Sequence, residues 1–205
     1  MQAGDQSKTR IVQAELDVKC WRAHLPTVEE VRPGQCPACA VASRPAGGRL
    51  ALHGHGLRER HQWGPPELGV AAALIEILAR RFACQSCGAI IMVVPRGLLT
   101  RRLYSAGAIA LALALWGVAG RAPAKVRRRV SPFTIVGATA AAGWASLRRW
   151  SRAVRAGRLF PMVRALPAEA SLRQVAARAA TTLAAFGPGP GGLSIDSAAF
   201  LGASM

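Results

Sequence analysis

Carboxylates are the scarcest chemistry in this chain. Ten Asp and Glu stand against 27 Lys and Arg, a formal net charge of +17. Between Arg101 and Arg164 there is no acidic residue, and beyond position 100 only Glu169 and Asp196 occur. A nuclease or transferase core that holds two magnesium ions needs several acidic ligands, so this half has no residues for that chemistry. Other catalytic signatures are missing as well. No glycine-rich loop runs into Lys-Ser/Thr; the Gly-Pro run at 187–192 lacks both the lysine and a following helix. No histidine is followed by glutamate at the spacing used by zinc deaminases. No serine or cysteine sits in a local nucleophile motif. The first thirty residues lack the charged start, apolar core and small-residue cleavage site of a leader. These absences lead to the expectation of a non-enzymatic, cytoplasmic protein with no small-molecule substrate. Aromatics make up only 5% of the residues, but hydrophobic side chains reach 51%, which is enough for a core and excludes wholesale disorder.

The positive charge is unevenly spread. Residues 1–100 carry 12 basic and 8 acidic side chains, whereas residues 101–205 carry 15 basic and 2 acidic ones. Concentrated positive charge favours a polyanion, nucleic acid or an anionic membrane surface.

Four of the five cysteines form two pairs, Cys36-Pro37-Ala38-Cys39 and Cys84-Gln85-Ser86-Cys87. Two residues between cysteines put both sulfurs on one tight turn, and two such turns supply the tetrahedral thiolate set that structural zinc prefers. Between the pairs lie 44 residues, more than the roughly 15–20 of a compact site, so an insertion is expected there. Catalytic zinc keeps one position open and mixes in histidine or carboxylate, but four cysteines close the shell. One structural Zn2+ per chain on Cys36, Cys39, Cys84 and Cys87 is therefore the expectation, with reduced or disulfide-paired cysteines as the alternative. Cys20 reads as a small buried residue beside Trp21. His53 and His55, at alternate positions, share one face of a strand, either as a metal or phosphate pair or simply facing solvent.

Strands are expected over Ile11–Val18, from alternation, over Arg49–Arg60, and over Ile90–Val94. Val70–Arg81 fits a strand or a short helix, and its run into the second cysteine turn favours a strand. Trp21–Arg32 reads as an irregular lead-in. Leu103–Gly120 carries no charge, but half of it is alanine and glycine. That composition suits a buried helix better than a membrane span, although its length touches the lower limit for one. Pro123 suits the first turn of a basic helix over Ala124–Val130, ended by Ser131-Pro132. Gly137–Ala142 is small and featureless. Trp144, Leu147, Trp150 and Val154 recur on one face of an amphipathic helix that Gly157 stops, with Arg148, Arg149, Arg152 and Arg155 off that face. A last helix is expected over Ala168–Phe186, with Leu172, Val175, Ala176, Ala179 and Leu183 as its buried stripe. Arg127, Arg128 and Arg129, together with Arg148, Arg149, Arg152 and Arg155, are the candidate DNA contacts. A helix of this size fits the major groove. A solvated basic face is the competing reading.

The cysteine turns, the strand Leu52-His53-Gly54-His55-Gly56-Leu57-Arg58-Glu59-Arg60 and the approach Arg80-Arg81-Phe82-Ala83-Cys84 together resemble the N-terminal zinc ribbon of bacterial transposases. Ala145-Ser146-Leu147-Arg148-Arg149-Trp150 resembles the end of a transposase helix-turn-helix. The pattern is also similar to short zinc-ribbon proteins found around mobile elements. The resemblance covers residues 33–158 and implies binding to DNA, with a separate recombinase or transposase subunit as a partner. The family's ribonuclease-H-like catalytic domain has no counterpart in residues 159–205, so binding without catalysis is expected.

The expected fold is α+β: residues 1–10 disordered, a β-rich zinc ribbon over 11–98, a helical, helix-turn-helix-like DNA-binding domain over 99–186, and a flexible tail over 187–205. The rival functions are a membrane-associated protein spanning at 103–120, an enzyme (a redox protein using the cysteine pairs or a metal hydrolase) and an RNA-binding zinc ribbon.

Overall fold

Alternating apolar residues build the sheet. The computed structural model describes residues 9–136, 143–188 and 192–203. Expectations for residues 1–8, for Gly137–Ala142 and for residues 189–191 of the Gly-Pro run lie outside them. The fold is mixed α+β, with one four-stranded sheet and six helices among the described residues. The chain divides into two compact units, residues 1–61 with 76–100, and residues 62–75 with 101–205. The division differs from the expected boundary near 98, because the segment 62–75 groups with the helical residues.

The strands are β1 (Arg10–Asp17), β2 (Leu52–Gly64), β3 (Ala73–Cys84) and β4 (Ile90–Arg96), in the spatial order β1-β4-β3-β2; the first unit holds all of them except residues 62–64 of β2 and 73–75 of β3. β4 is central and its residues Ile91 to Pro95 are all buried, which explains an apolar run without alternation. β3 and β4 are antiparallel, from Arg80 opposite Val93 to Ala83 opposite Ile90, and the second cysteine turn joins them. β1 runs parallel to β4, with Ile11 opposite Met92 and Val12 opposite Val93. Val70–Arg81 is thus resolved as strand from Ala73 onward, and β2 runs four residues beyond the expected end at Arg60.

The lead-in is less irregular than expected. Helix α1 (Val18–Ala23) starts at Asp17, whose carboxylate accepts the Cys20 N–H at 2.8 Å. That hydrogen bond holds the Asp17 carboxyl below its usual range, against partial burial. Trp21 is buried, and its indole N–H donates to the Leu78 carbonyl at 2.9 Å. The neighbouring position is the opposite of the expectation: Cys20 is exposed. A six-residue helix has one inward side, and Trp21 occupies it.

The helical unit contains α2 (Ala106–Gly117), α3 (Pro123–Val130), α4 (Ala145–Arg155), α5 (Leu172–Ala184) and α6 (Ile195–Gly202). α2 is its centre. Every residue from Ala106 to Ala114 is buried, and α3, α4, α5 and α6 all pack on it. The alanine and glycine content permits this close approach. A Cβ on Gly117 would come within 2.8 Å of the Ala176 carbonyl carbon on α5, and one on Gly107 within 2.9 Å of the Phe200 carbonyl oxygen on α6. Twelve residues of helix span roughly 18 Å, well short of a bilayer's apolar thickness. Among the described residues no helix is long and apolar enough to cross a membrane. Ser105 caps α2 through the Ala108 N–H, and α5 starts with a reciprocal Ser171–Gln174 capping box. In the stretch expected to be a flexible tail, α6 forms instead. It buries Ala199 and Phe200 and packs on α2 and α5.

Tyr104, the only tyrosine, anchors an aromatic cluster in this unit. Its ring meets Trp150 at 5.1 Å, Trp63 at 5.4 Å and Trp144 at 5.7 Å, all edge-to-face. Trp63 also meets Phe133 at 4.8 Å. Such pairs add roughly 0.5–1.5 kcal/mol each beyond area burial. They fix the segment 101–104, the residues after α3, and α4 relative to each other.

Candidate functional site

The two cysteine turns have the same backbone design. In the first, the Cys36 carbonyl accepts from Ala40 N–H and the Cys36 N–H donates to the Val41 carbonyl, both at 2.8 Å. In the second, the Cys84 carbonyl accepts from Gly88 N–H at 2.9 Å and the Cys84 N–H donates to the Ala89 carbonyl at 3.0 Å. The residue after each second cysteine lies in the left-handed region, Ala40 at φ 59° and Gly88 at φ 70°. Glycine takes that conformation freely, whereas alanine bears a cost of about 1 kcal/mol. The turns are held to each other through the chain. Ser43 donates its N–H to Gly34 and its hydroxyl to Pro33, Ala51 N–H donates to Ser43, and Gln85 N–H donates to Ala51. Upstream, Glu29 pairs with Arg32 and Arg44, whose hydrogen bonds hold its carboxyl below the usual range. Arg32 also donates to the Leu52 carbonyl and stacks over Phe82, tying the lead-in to the sheet.

This scaffold brings all four expected ligands together. Cys36 and Cys87 sulfurs are 3.8 Å apart, Cys39 and Cys84 sulfurs are 3.8 Å apart, and all four lie within 4.8 Å of one another. A tetrahedral zinc with bonds of about 2.3 Å needs ligand sulfurs about 3.8 Å apart, so the residues fit such an ion. No disulfide joins them. Four thiols in one place ionise in sequence. Cys84, although burial opposes it, is lowered to about 7 by the Cys87 and Ser86 N–H groups and the neighbouring thiols. Cys39 is pulled down by the Val41 backbone, but burial and the surrounding sulfurs dominate and push it up to about 12. A cation at the centre would replace this mutual repulsion with attraction. Among the described residues no histidine joins the group. His53 and His55 both face solvent, and the His53 ring meets the Leu50 carbonyl.

The seven candidate arginines fall on α3 and α4, in the helical unit. α4 is divided as its sequence predicts: Leu147, Trp150, Ala153 and Val154 are buried, while Arg148, Arg149, Arg152 and Arg155 are exposed. On α3, Val126 and Val130 are buried and Arg128 and Arg129 are exposed. Two of the seven are already engaged. Arg155 donates to the Ala170 carbonyl, and the half-buried Arg127 has its Nε enclosed. Arg129 lines a hollow of about 130 Å³ together with Glu67 and Asp196, carboxylates from distant sequence.

Two arginines escaped the sequence reading. Arg102 feels the charges of Arg158 and Arg149, and burial together with that repulsion lowers its pKa. Arg158 follows the left-handed Gly157 that ends α4, and the Tyr104–Trp150 contact brings Arg102 to the same helix. Three cations from separate segments thus share one neighbourhood. Only the pairing of Tyr104 with Trp150 would have revealed it, and a single sequence carries no sign of that contact.

Comparison of the chain with protein-family models, with curated proteins and with solved structures returns no match, so the reading of function rests on these residues alone.

Proposed function

We propose that this chain is a zinc-stabilised DNA-binding protein of transposase-like descent. In this reading the first unit is a zinc ribbon and the helical unit is helix-turn-helix-like, with binding rather than catalysis as the role of these residues. The carrying observation is the exposed face of α4, where Arg148, Arg149 and Arg152 stand with no acidic residue on the helix. Arg102 and Arg158 extend that face. Residues 131–144 separate α3 from α4, longer than the roughly 3–4-residue turn of a helix-turn-helix. The proposal therefore places α4 at the groove, with Arg148, Arg149 and Arg152 on the phosphates that border it and Arg128 and Arg129 on phosphate from α3. Zinc at Cys36, Cys39, Cys84 and Cys87 holds the two turns and takes no part in chemistry. A cytoplasmic setting and a separate recombinase or transposase subunit as partner complete the proposal.

The test is the salt dependence of duplex binding. Four to five arginines on phosphate give a slope of log affinity against log salt of about −4 to −5. Fluorescence anisotropy with a labelled duplex between about 50 and 300 mM salt measures it. A slope near zero, or affinity for RNA hairpins well above that for duplex DNA, would defeat the proposal.

A further inference from the structure

Beside α3 lies a cavity of about 460 Å³ lined by Arg127, Arg128, Ser131, Phe133, Thr134 and Ile135. Its size is within the roughly 300–1,000 Å³ of small-molecule sites. Among the described residues, two donors on the residues lining it have no acceptor. The Arg127 Nε is buried with no hydrogen-bond partner. The buried Ser131 hydroxyl accepts from the Tyr104 hydroxyl at 3.1 Å and from the Phe133 N–H at 3.3 Å, which uses its lone pairs and leaves its proton to donate. The guanidinium groups of Arg127 and Arg128 at this wall call for an acceptor, and among the described residues no carboxylate lines the cavity. The natural occupant at this end is an anion.

The other wall is apolar and flat. Phe133 meets Trp63 on one side yet remains 47% exposed, and Ile135 stands beside it. A nucleotide joins a compact anion to a planar ring, which is what these two walls ask for. We propose that the cavity receives one nucleotide unit, its phosphate held by Arg127, Arg128 and Ser131 and its base stacked on Phe133. The nucleotide can come from a strand, in which case the inference rests on the DNA-binding reading above, or from a free mononucleotide. From a strand, the base must be unpaired to reach the ring, so the protein prefers DNA with an unpaired nucleotide to a perfect duplex.

The experiment uses 2-aminopurine, whose fluorescence falls on stacking, in three probes: the free monophosphate, a duplex with one unpaired 2-aminopurine, and the same duplex fully paired. The full chain is expected to quench and bind the unpaired probe more tightly than the paired one. Phe133→Ala should weaken the unpaired probe about fivefold to tenfold and leave the paired duplex unchanged, while Phe133→Trp restores binding. Restoration by tryptophan separates loss of a stacking platform from loss of fold. Equal affinity of wild type and Phe133→Ala for the unpaired probe, or displacement of the probe by inorganic phosphate as readily as by the monophosphate, overturns the inference. Failure of the paired duplex to bind at low salt defeats the DNA reading instead. In that event binding of the free monophosphate still supports the cavity's assignment, and its absence sinks it.

Discussion

Removing a metal ligand at Cys39 should unravel one part of the first unit while sparing the rest. Cys39 is the exposed member of the four, so Cys39→Ser takes away a zinc ligand with little loss of packing, unlike changes at the buried Cys36 or Cys84. Cys39 and Cys84 are 45 positions apart, and a zinc ion between them would close that loop as a cross-link does. By chain entropy, closing a loop of that length contributes about 4 kcal/mol. This compares with a total of roughly 5–15 kcal/mol for a typical domain. For a unit of this size each kcal/mol moves the midpoint by about 4–8 °C, so the expected fall is about 16–30 °C. The sheet has its own apolar core in Trp21, Ile77, Phe82, Ile91 and Val93, so β3 and β4 should keep slow amide exchange. The segment 33–51, which has no helix or strand, should lose its protection. Chelator treatment of the wild type should reproduce the variant's melting curve, and elemental analysis should find one zinc per chain. Binding needs thiolates, so zinc should be held near pH 8 and released as the pH falls to about 5. A melting curve indifferent to both chelator and Cys39→Ser would refute the reasoning.

Ala40→Gly should raise stability by about 0.5–1 kcal/mol, read by denaturant titration, because glycine relieves the left-handed backbone that already has glycine in the equivalent turn. Gly117→Ala should cost about 1–3 kcal/mol, since the new methyl strikes the α5 backbone at Ala176 and Ala177; an unchanged melting temperature would contradict the tight α2–α5 contact. Asp17→Ala should remove about 1 kcal/mol by uncapping α1. Because the folded Asp17 carboxyl lies below its unfolded value, its contribution is present above the unfolded pKa and disappears as acid carries the pH through the folded one. The wild-type stability should therefore converge on that of Asp17→Ala in acid. Arg149→Ala and Arg152→Ala should each lower the magnitude of the duplex salt slope by about one, with no change in melting temperature.

Much of this structure was legible locally. A cysteine pair spaced by two fixes its own turn, and Val126 with Val130, or Leu147 with Trp150 and Val154, fixes which side of a helix turns inward. What the sequence concealed is long-range. β1 lies beside β4 rather than beside its neighbour in sequence, because a parallel pairing leaves no turn signal. Trp63-Gly64-Pro65-Pro66 reads only as the break after a strand, yet Trp63 is drawn to Tyr104 and Phe133 by aromatic contact. α6 was obscured by the Gly-Pro run before it, although Phe200 and small residues at 198–199 give it a buried side. α1 could have been found from Asp17, an N-cap residue three positions before Cys20. At the candidate site, the four sulfurs converge where spacing placed them. For the arginines, sequence identified the charge but could not see Arg155 tied to Ala170, or Arg127 turned partly inward.

The near-exclusive use of arginine in the helical unit has a consequence for control. Guanidinium stays protonated throughout the physiological range, and Lys125 is the only lysine beyond position 100. Neither acidity nor lysine acetylation can therefore discharge this surface, and a partner held as proposed above would be loosened by ionic strength or a competing polyanion. The cysteine centre responds to the opposite set of signals, namely protons, oxidants and metal supply. One chain thus carries a part that senses its chemical surroundings and a part that is deaf to them.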